Sequence, residues 1–158
     1  MALQNIDVAK EATSQEILSK LASSGGGTKF VTSSNNVLVT VLSNEISSSG
    51  SSYIDASSRM FVSGDLVGTF KIRASIKGSS ISPSTAATLY IEKNSVETAL
   101  VTQAGASYAT KEALVRLELG DVFKFRLKFG SGSGGASCNL ITICGDVGQP
   151  TENVFTTL

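Results

Sequence analysis

Histidine and tryptophan are absent from this chain of 158 residues, and proline, cysteine and methionine occur twice each. Without histidine there is no Ser-His-Asp triad, no Cys-His pair and no imidazole metal ligand. An excess of charge is missing too. The 13 basic residues meet 13 acidic ones, so the formal net charge is zero, and no overall field recruits nucleic acid. No apolar run approaches the roughly 18 residues of a membrane span. The start, Met1-Ala-Leu-Gln-Asn-Ile-Asp7, has neither a basic region nor an apolar stretch, which predicts no secretory signal. What is abundant is serine, with 25 copies, while charged residues make up only 16%. The length suits one domain with one core and a short appendage.

Cys138 and Cys144 lie six apart in Ala-Ser-Cys-Asn-Leu-Ile-Thr-Ile-Cys. On one regular strand they would share a face, with Cα atoms roughly 20 Å apart. A disulfide needs less than about 7 Å. The spacing therefore predicts two free thiols and folding in a reducing compartment. Small core residues are the simplest role for them.

The chain divides into residues 1–24 and 25–158. Thr13-Ser-Gln-Glu16 fits a capping box, and Ile17, Leu18 and Leu21 then form one apolar stripe at helical spacing. A helix over about 14–22 is too short to stand alone in water. Its stripe must be buried on its own domain, a sister chain or another protein. Ile6 and Val8 add apolar contacts upstream, and Ser23-Ser-Gly-Gly-Gly27 reads as a hinge. The expected organisation is a helical anchor followed by a head.

From Lys29 onward the apolar period is two. Leu66, Gly68, Phe70, Ile72, Ala74 and Ile76 share one face, opposite Lys71, Arg73 and Lys77. Ala113, Val115, Leu117 and Leu119 alternate with Leu114, Arg116 and Glu118. After the turn dipeptide Gly120-Asp121, Phe123, Phe125, Leu127 and Phe129 alternate with Lys124, Arg126 and Lys128. Such alternation predicts antiparallel strands with one wet face. The last of these strands carries three of the seven phenylalanines and belongs at the centre of the core. Further strands are expected at 37–42, 87–93, 96–102 and 140–144, with a tight hairpin at Lys93-Asn94-Ser95. The serine-rich segments 47–52, 79–85 and 130–137 read as loops. The fold class is mainly β: an antiparallel β-sandwich or jelly roll preceded by a short helical anchor.

A search for chemistry returns little. Gly130-Ser-Gly-Ser-Gly-Gly135 lacks the Lys-Ser/Thr and the helix that a phosphate loop needs. The acids are scattered singly, with no calcium-loop pattern and no evident carboxylate pair. No catalytic residue, metal ligand or cofactor is expected. Lys71, Arg73, Lys124 and Arg126 would form a modest positive patch for an acidic partner if their strands were neighbours. A solvated sheet face is the simpler reading of these charges. Glycan sites usually carry an exposed aromatic. Among Tyr53, Tyr90 and Tyr108, Tyr90 stands out because it shares the polar phase of its strand with Thr88 and Glu92.

The stretches Ala87-Thr-Leu-Tyr-Ile-Glu-Lys-Asn-Ser-Val-Glu-Thr-Ala99 and Leu117-Glu-Leu-Gly-Asp-Val-Phe-Lys-Phe-Arg-Leu127 resemble the late half of compact jelly rolls. These are the heads of complement-type collagens and tumour-necrosis-factor-like proteins. In that pattern a "strand, Lys-Asn-Gly, strand" hairpin precedes a "Leu-x-x-Gly-Asp" turn; here Ser95 takes the glycine's place. The resemblance covers about 60 residues and speaks to architecture more than to function.

The segment Ile6-Asp-Val-Ala-Lys-Glu-Ala-Thr-Ser-Gln-Glu-Ile-Leu-Ser-Lys-Leu21 resembles the leading segment of tailed-bacteriophage structural proteins. That resemblance implies a non-enzymatic capsid-decoration or head-fibre protein, made in the host cytoplasm and residing in the virion. It implies a homotrimer anchored to a major capsid or tail protein through Ile6, Val8, Ile17, Leu18 and Leu21. The alternative is a receptor- or glycan-binding head of a tail fibre or baseplate, meeting a host surface glycan. Neither reading involves nucleic acid or membrane insertion.

Overall fold

The structure is a computed structural model that describes residues 34–63, 67–130, 134–145 and 155–158. The anticipated helix at 14–22 and the anchor residues Ile6, Val8, Ile17, Leu18 and Leu21 lie outside the described residues. Among the described residues the only helical turn is a short 3-10 turn, Pro83–Thr85.

Eleven strands follow in order among the described residues: β1 Asn36–Leu42, β2 Ile46–Ser49, β3 Tyr53–Asp55, β4 Met60–Val62, β5 Gly68–Lys77, β6 Ala87–Lys93, β7 Val96–Gln103, β8 Ala109–Leu117, β9 Val122–Phe129, β10 Gly135–Gly145 and β11 Phe155–Thr157. They form two sheets. Sheet one runs β1-β10-β5-β8, with β2 also on β10. Sheet two runs β11-β4-β9-β6-β7, with β3 also on β9. All pairings are antiparallel. From β7 onward the chain changes sheet at every step, β7 to β8 to β9 to β10. This gives an antiparallel sandwich consistent with a jelly-roll winding.

The alternation in the sequence explains the layers. β5 buries Gly68, Phe70, Ile72, Ala74 and Ile76, while the residues between them are half-exposed. β9 buries Phe123, Phe125, Leu127 and Phe129 at no more than 1% exposure and lies in the middle of sheet two. Phe70, Phe123 and Phe155 meet edge to face at 5.4 and 6.0 Å, which joins the two layers. Leu119 does not join this core: it falls beyond the end of β8 and is 58% exposed.

Two expectations are corrected. Strand extends into the serine-rich segments, because Ile46–Ser49 pairs with Gly135–Cys138. A short polar strand carries no apolar alternation, so composition hides it. The cysteines also do not share a face. A bulge between Cys138 and Leu140 inserts one residue and shifts the phase of β10. Cys138 pairs with core-facing Ile76, and Cys144 pairs with outward Lys71. Both thiols are free and buried, and burial pushes Cys138 up to about 11.

The hairpin and the Gly-Asp turn form one corner. Lys93 pairs with Val96, so Asn94 and Ser95 are a two-residue loop with φ of 49° and 67°. These left-handed values are those of a type I′ turn. Asn94 Nδ2 donates to Asp121 Oδ1 at 2.6 Å, and the Val122 amide donates to Asn94 Oδ1 at 2.9 Å. Asp121, 8% exposed, also accepts from the Glu118 amide at 2.9 Å and faces Lys93 at 3.2 Å. Gly120 takes φ +85°, with open space where a Cβ would stand. For the Asp121 carboxyl, burial works upward. The Glu118 amide, Asn94 and Lys93 outweigh it and hold the carboxyl below its ordinary 3.8.

Two substitutions test this corner by urea unfolding. Ser95→Gly relieves a left-handed non-glycine residue and should add about 0.5–1 kcal/mol. Asp121→Asn should cost about 1–3 kcal/mol at neutral pH. A depressed carboxyl stabilises the fold above its unfolded value and loses that contribution as pH falls through its folded value. The gap between Asp121→Asn and the parent should therefore close well below pH 3.8. A gap that persists there would refute the ionic part of this account.

Candidate functional site

The outward side chains of sheet two form a grid set by strand register. One row across the sheet is Tyr53, Lys128, Thr88 and Thr102. The next is Asp55, Arg126, Tyr90 and Ala99, and the third contains Lys124, Glu92 and Glu97. Directly opposed residues of an antiparallel pair share a face, so these side chains stand together although they come from four strands.

Arg126 is the hub. Its Nε meets Asp55 Oδ1 at 3.1 Å, and its Nη1 meets Glu92 Oε2 at 3.2 Å and Glu97 Oε1 at 3.4 Å. Glu92 and Glu97 are paired across β6 and β7; like charges there repel, and the shared guanidinium offsets that. Lys124 adds contacts to Asp55 at 3.2 Å and Glu92 at 3.8 Å. Lys124, Glu92, Arg126 and Glu97 are 15–29% exposed, so this network is better shielded than isolated surface pairs.

Above it lie two tyrosines. Tyr53 and Tyr90 meet edge to face at 5.3 Å. The Arg126 guanidinium and the Lys128 ammonium sit 4.4 and 4.6 Å from the Tyr53 ring centre, within cation–π range. The Tyr53 hydroxyl donates to Glu97 Oε2. That hydrogen bond first, then burial and the Glu97 charge, pushes the Tyr53 phenol up to about 12. Tyr53 is thereby clamped across the sheet, beside the half-buried Tyr90.

Two clefts flank the network. One, of about 280 Å³, is lined by Ser51, Thr88, Tyr90, Lys128, Phe129 and Gly130. Gly130 is required in its wall, since a Cβ there would stand 2.3 Å from the Ser84 carbonyl oxygen. The other, of about 350 Å³, is lined by Arg59, Asn94, Ser95 and Val122 with Glu92, Phe123 and Lys124.

The anticipated positive patch does not form. Lys71 and Arg73 are on β5 of sheet one, Lys124 and Arg126 on β9 of sheet two, and each pair faces outward from its own sheet. Similar alternation makes two strands look like neighbours, but here they are the two sides of one core. Each pair is also neutralised locally. Lys71 and Arg73 hold Glu112 at 3.4 and 2.9 Å, and both donate to Asn35 Oδ1 at 3.0 Å. The Asn35 contacts span β10, whose Thr142 and Cys144 face outward yet are 4% and 0% exposed.

Tyr90 sits on the outward face as its phase requires. Tyr53 is the partner that pattern alone does not single out, since its strand has three residues and follows serines. Its one signal is an aromatic in a polar stretch. Tyr108 stands apart, under the Lys77 ammonium at 4.5 Å, and burial followed by Glu45 pushes its phenol upward.

Glu97→Gln tests the clamp. Followed by the near-ultraviolet phenolate band, the parent should show a tyrosine ionising near pH 12. The variant should move that step toward the ordinary value of 10. The raised phenol contributes stability that is fully present below pH 10 and is lost as pH rises through its folded value, so the stability gap between parent and variant should be full below pH 10 and close between pH 10 and about 12. An unmoved titration would remove Glu97 from the clamp.

No family model and no curated protein matches the chain. Solved structures similar to it include the carbohydrate binding module CBM6cm-2 from Cellvibrio mixtus lichenase 5A in complex with cellotriose, 14% identical with a TM-score of 0.40, covering 68% of this chain and 97% of that one. An exo-β-1,3-galactanase from Phanerochaete chrysosporium with β-1,3-galactotriose is 11% identical with a TM-score of 0.40, covering 66% of this chain and 29% of that one. A β-glucosidase from Paenibacillus barengoltzii is 18% identical with a TM-score of 0.39, covering 74% of this chain and 11% of that one. Likenesses of this size assign neither a family nor a function.

Proposed function

We propose that this chain is a non-enzymatic binding head that holds a saccharide on the outward face of sheet two. The observation that carries the reading is the cleft beside Tyr90. It offers one aromatic ring, the hydroxyls of Ser51 and Thr88, and an ammonium at Lys128. A sugar ring needs that combination, an apolar surface for its C–H face and short polar groups for its hydroxyls. The carboxylates nearby, Asp55, Glu92 and Glu97, all converge on Arg126 and serve ion pairing rather than acid–base chemistry. The test is a glycan array with the intact chain and Tyr90→Ala. Loss of at least about tenfold in affinity is expected for the variant, as for an aromatic anchor in a small site. A uniformly blank array for the parent would overturn the reading.

A second reading concerns where the head is displayed. The capping box, the apolar stripe and the Gly25–Gly27 hinge favour residues 1–24 as an attachment segment on a virion, with the sandwich as a projecting oligomer. Deleting residues 1–24 should then leave a folded head that no longer decorates particles. A truncated head that still decorates them would sink the attachment role.

A further inference from the structure

The outward face of sheet two pairs nearly every charge it carries. Lys124 and Arg126 are held by Asp55, Glu92 and Glu97. Lys93 is held by Asp121. Lys128 differs. Among the described residues it has no carboxylate within ion-pair distance, and its contact is the ring of Tyr53 at 4.6 Å. It lines the Tyr90 cleft together with Ser51, Thr88 and Gly130. A cation packed on an aromatic face keeps its charge while its stem is held in place. The cleft thus presents a fixed ammonium beside hydroxyls and one tyrosine ring.

We propose that the cleft selects an anionic saccharide, one whose carboxylate or sulfate group pairs with the Lys128 ammonium while its ring lies against Tyr90. This rests on the saccharide reading above and adds the class of sugar. Two features support it. The carboxylates of this face are drawn to Arg126, one row away from Lys128 in the grid, so among the described residues no acid is paired with the ammonium. The strand register also places Thr88 opposite Lys128; its hydroxyl pairs with that of Thr102 at 3.1 Å, where either oxygen can donate, so with Thr102 as the donor the Thr88 proton is available to the anion, and charge-assisted hydrogen bonds are the strong ones.

The experiment compares dextran, dextran sulfate and polygalacturonate as probes for the full chain at fixed ionic strength. The variants are Lys128→Gln, Lys128→Arg, Tyr90→Ala and Arg59→Gln. Arg59 is an exposed cation in the other cleft, so Arg59→Gln removes the same charge at a different place. The proposal expects at least one anionic polymer to bind more tightly than dextran. Lys128→Gln should weaken that binding by about tenfold or more, Lys128→Arg should restore most of it, and Arg59→Gln should stay within about twofold. Which polymer responds tells carboxylate from sulfate. Equal losses in Lys128→Gln and Arg59→Gln would show diffuse attraction and overturn the proposal. Binding to dextran that needs Tyr90 but ignores Lys128 would overturn the anionic selection and leave the saccharide reading standing. No binding to any probe or to an array of neutral glycans would remove both. Unchanged thermal unfolding of Lys128→Gln keeps a folding defect from imitating a binding one.

Discussion

The structure depends on the strict alternation of β9. Its inward residues, Phe123, Phe125, Leu127 and Phe129, are almost completely buried, and its outward residues are Lys124, Arg126 and Lys128. A slip of one residue would put three cations in the core and four large apolar side chains in water. No packing could offset that, so the register of every strand on β9 is pinned. β3, β4 and β6 all pair with it. The grid of tyrosines, acids and cations on the outer face follows from the same constraint, since residues from these strands meet there only when the register is right. Core and candidate site are thus two sides of one pattern.

The corner formed by Asn94 and Asp121 fixes that pattern along the strand direction. Asn94 belongs to the β6–β7 hairpin and Asp121 to the turn entering β9. Their contact is reciprocal, as the Asn94 side chain donates to Asp121 and accepts from Val122. The main chain joins in, because the Asn94 amide donates to the Val122 carbonyl at 2.8 Å and the Val62 amide to the Asp121 carbonyl at 2.9 Å. Three strand ends are held by one small polar cluster. A buried carboxylate is costly when unpaired; this one has donors from two loops, so satisfying it requires that both loops be in place.

Much of the fold was legible in the sequence, and the parts that were not share a cause. β5, β8 and β9 alternate over eight or more residues, so their faces could be read directly. The Lys93-Asn94-Ser95 hairpin and the Gly120-Asp121 turn were visible as dipeptide chemistry, though not that they touch. β2, β3 and β4 have three or four residues each, too few to display a period. The bulge in β10 turned an even spacing into opposite faces for Cys138 and Cys144, and a local insertion leaves no mark on composition. For the site, Tyr90 could be found from its phase. Tyr53, Asp55 and Glu97 could not, because their roles come from strand order. Strand order also decides that the basic stripes of β5 and β9 point away from each other.

Zero net charge acquires a local meaning in this arrangement. Each outward basic stripe has its own acids, Glu112 on one face and Asp55, Glu92 and Glu97 on the other. Opposite charges a few ångströms apart cancel at distances beyond a Debye length, so neither face attracts polyanions from afar. Selection must then occur at contact, where a single charge without an acidic partner matters more than the sum over the surface. Among the described residues Lys128 is such a charge, and Ser51 and Thr88 line the same cleft. These short side chains lose little rotamer freedom when a ligand orders them. On the outer face of sheet two, the balanced network around Arg126 thus stands beside a cation that packs on an aromatic ring instead of an acid.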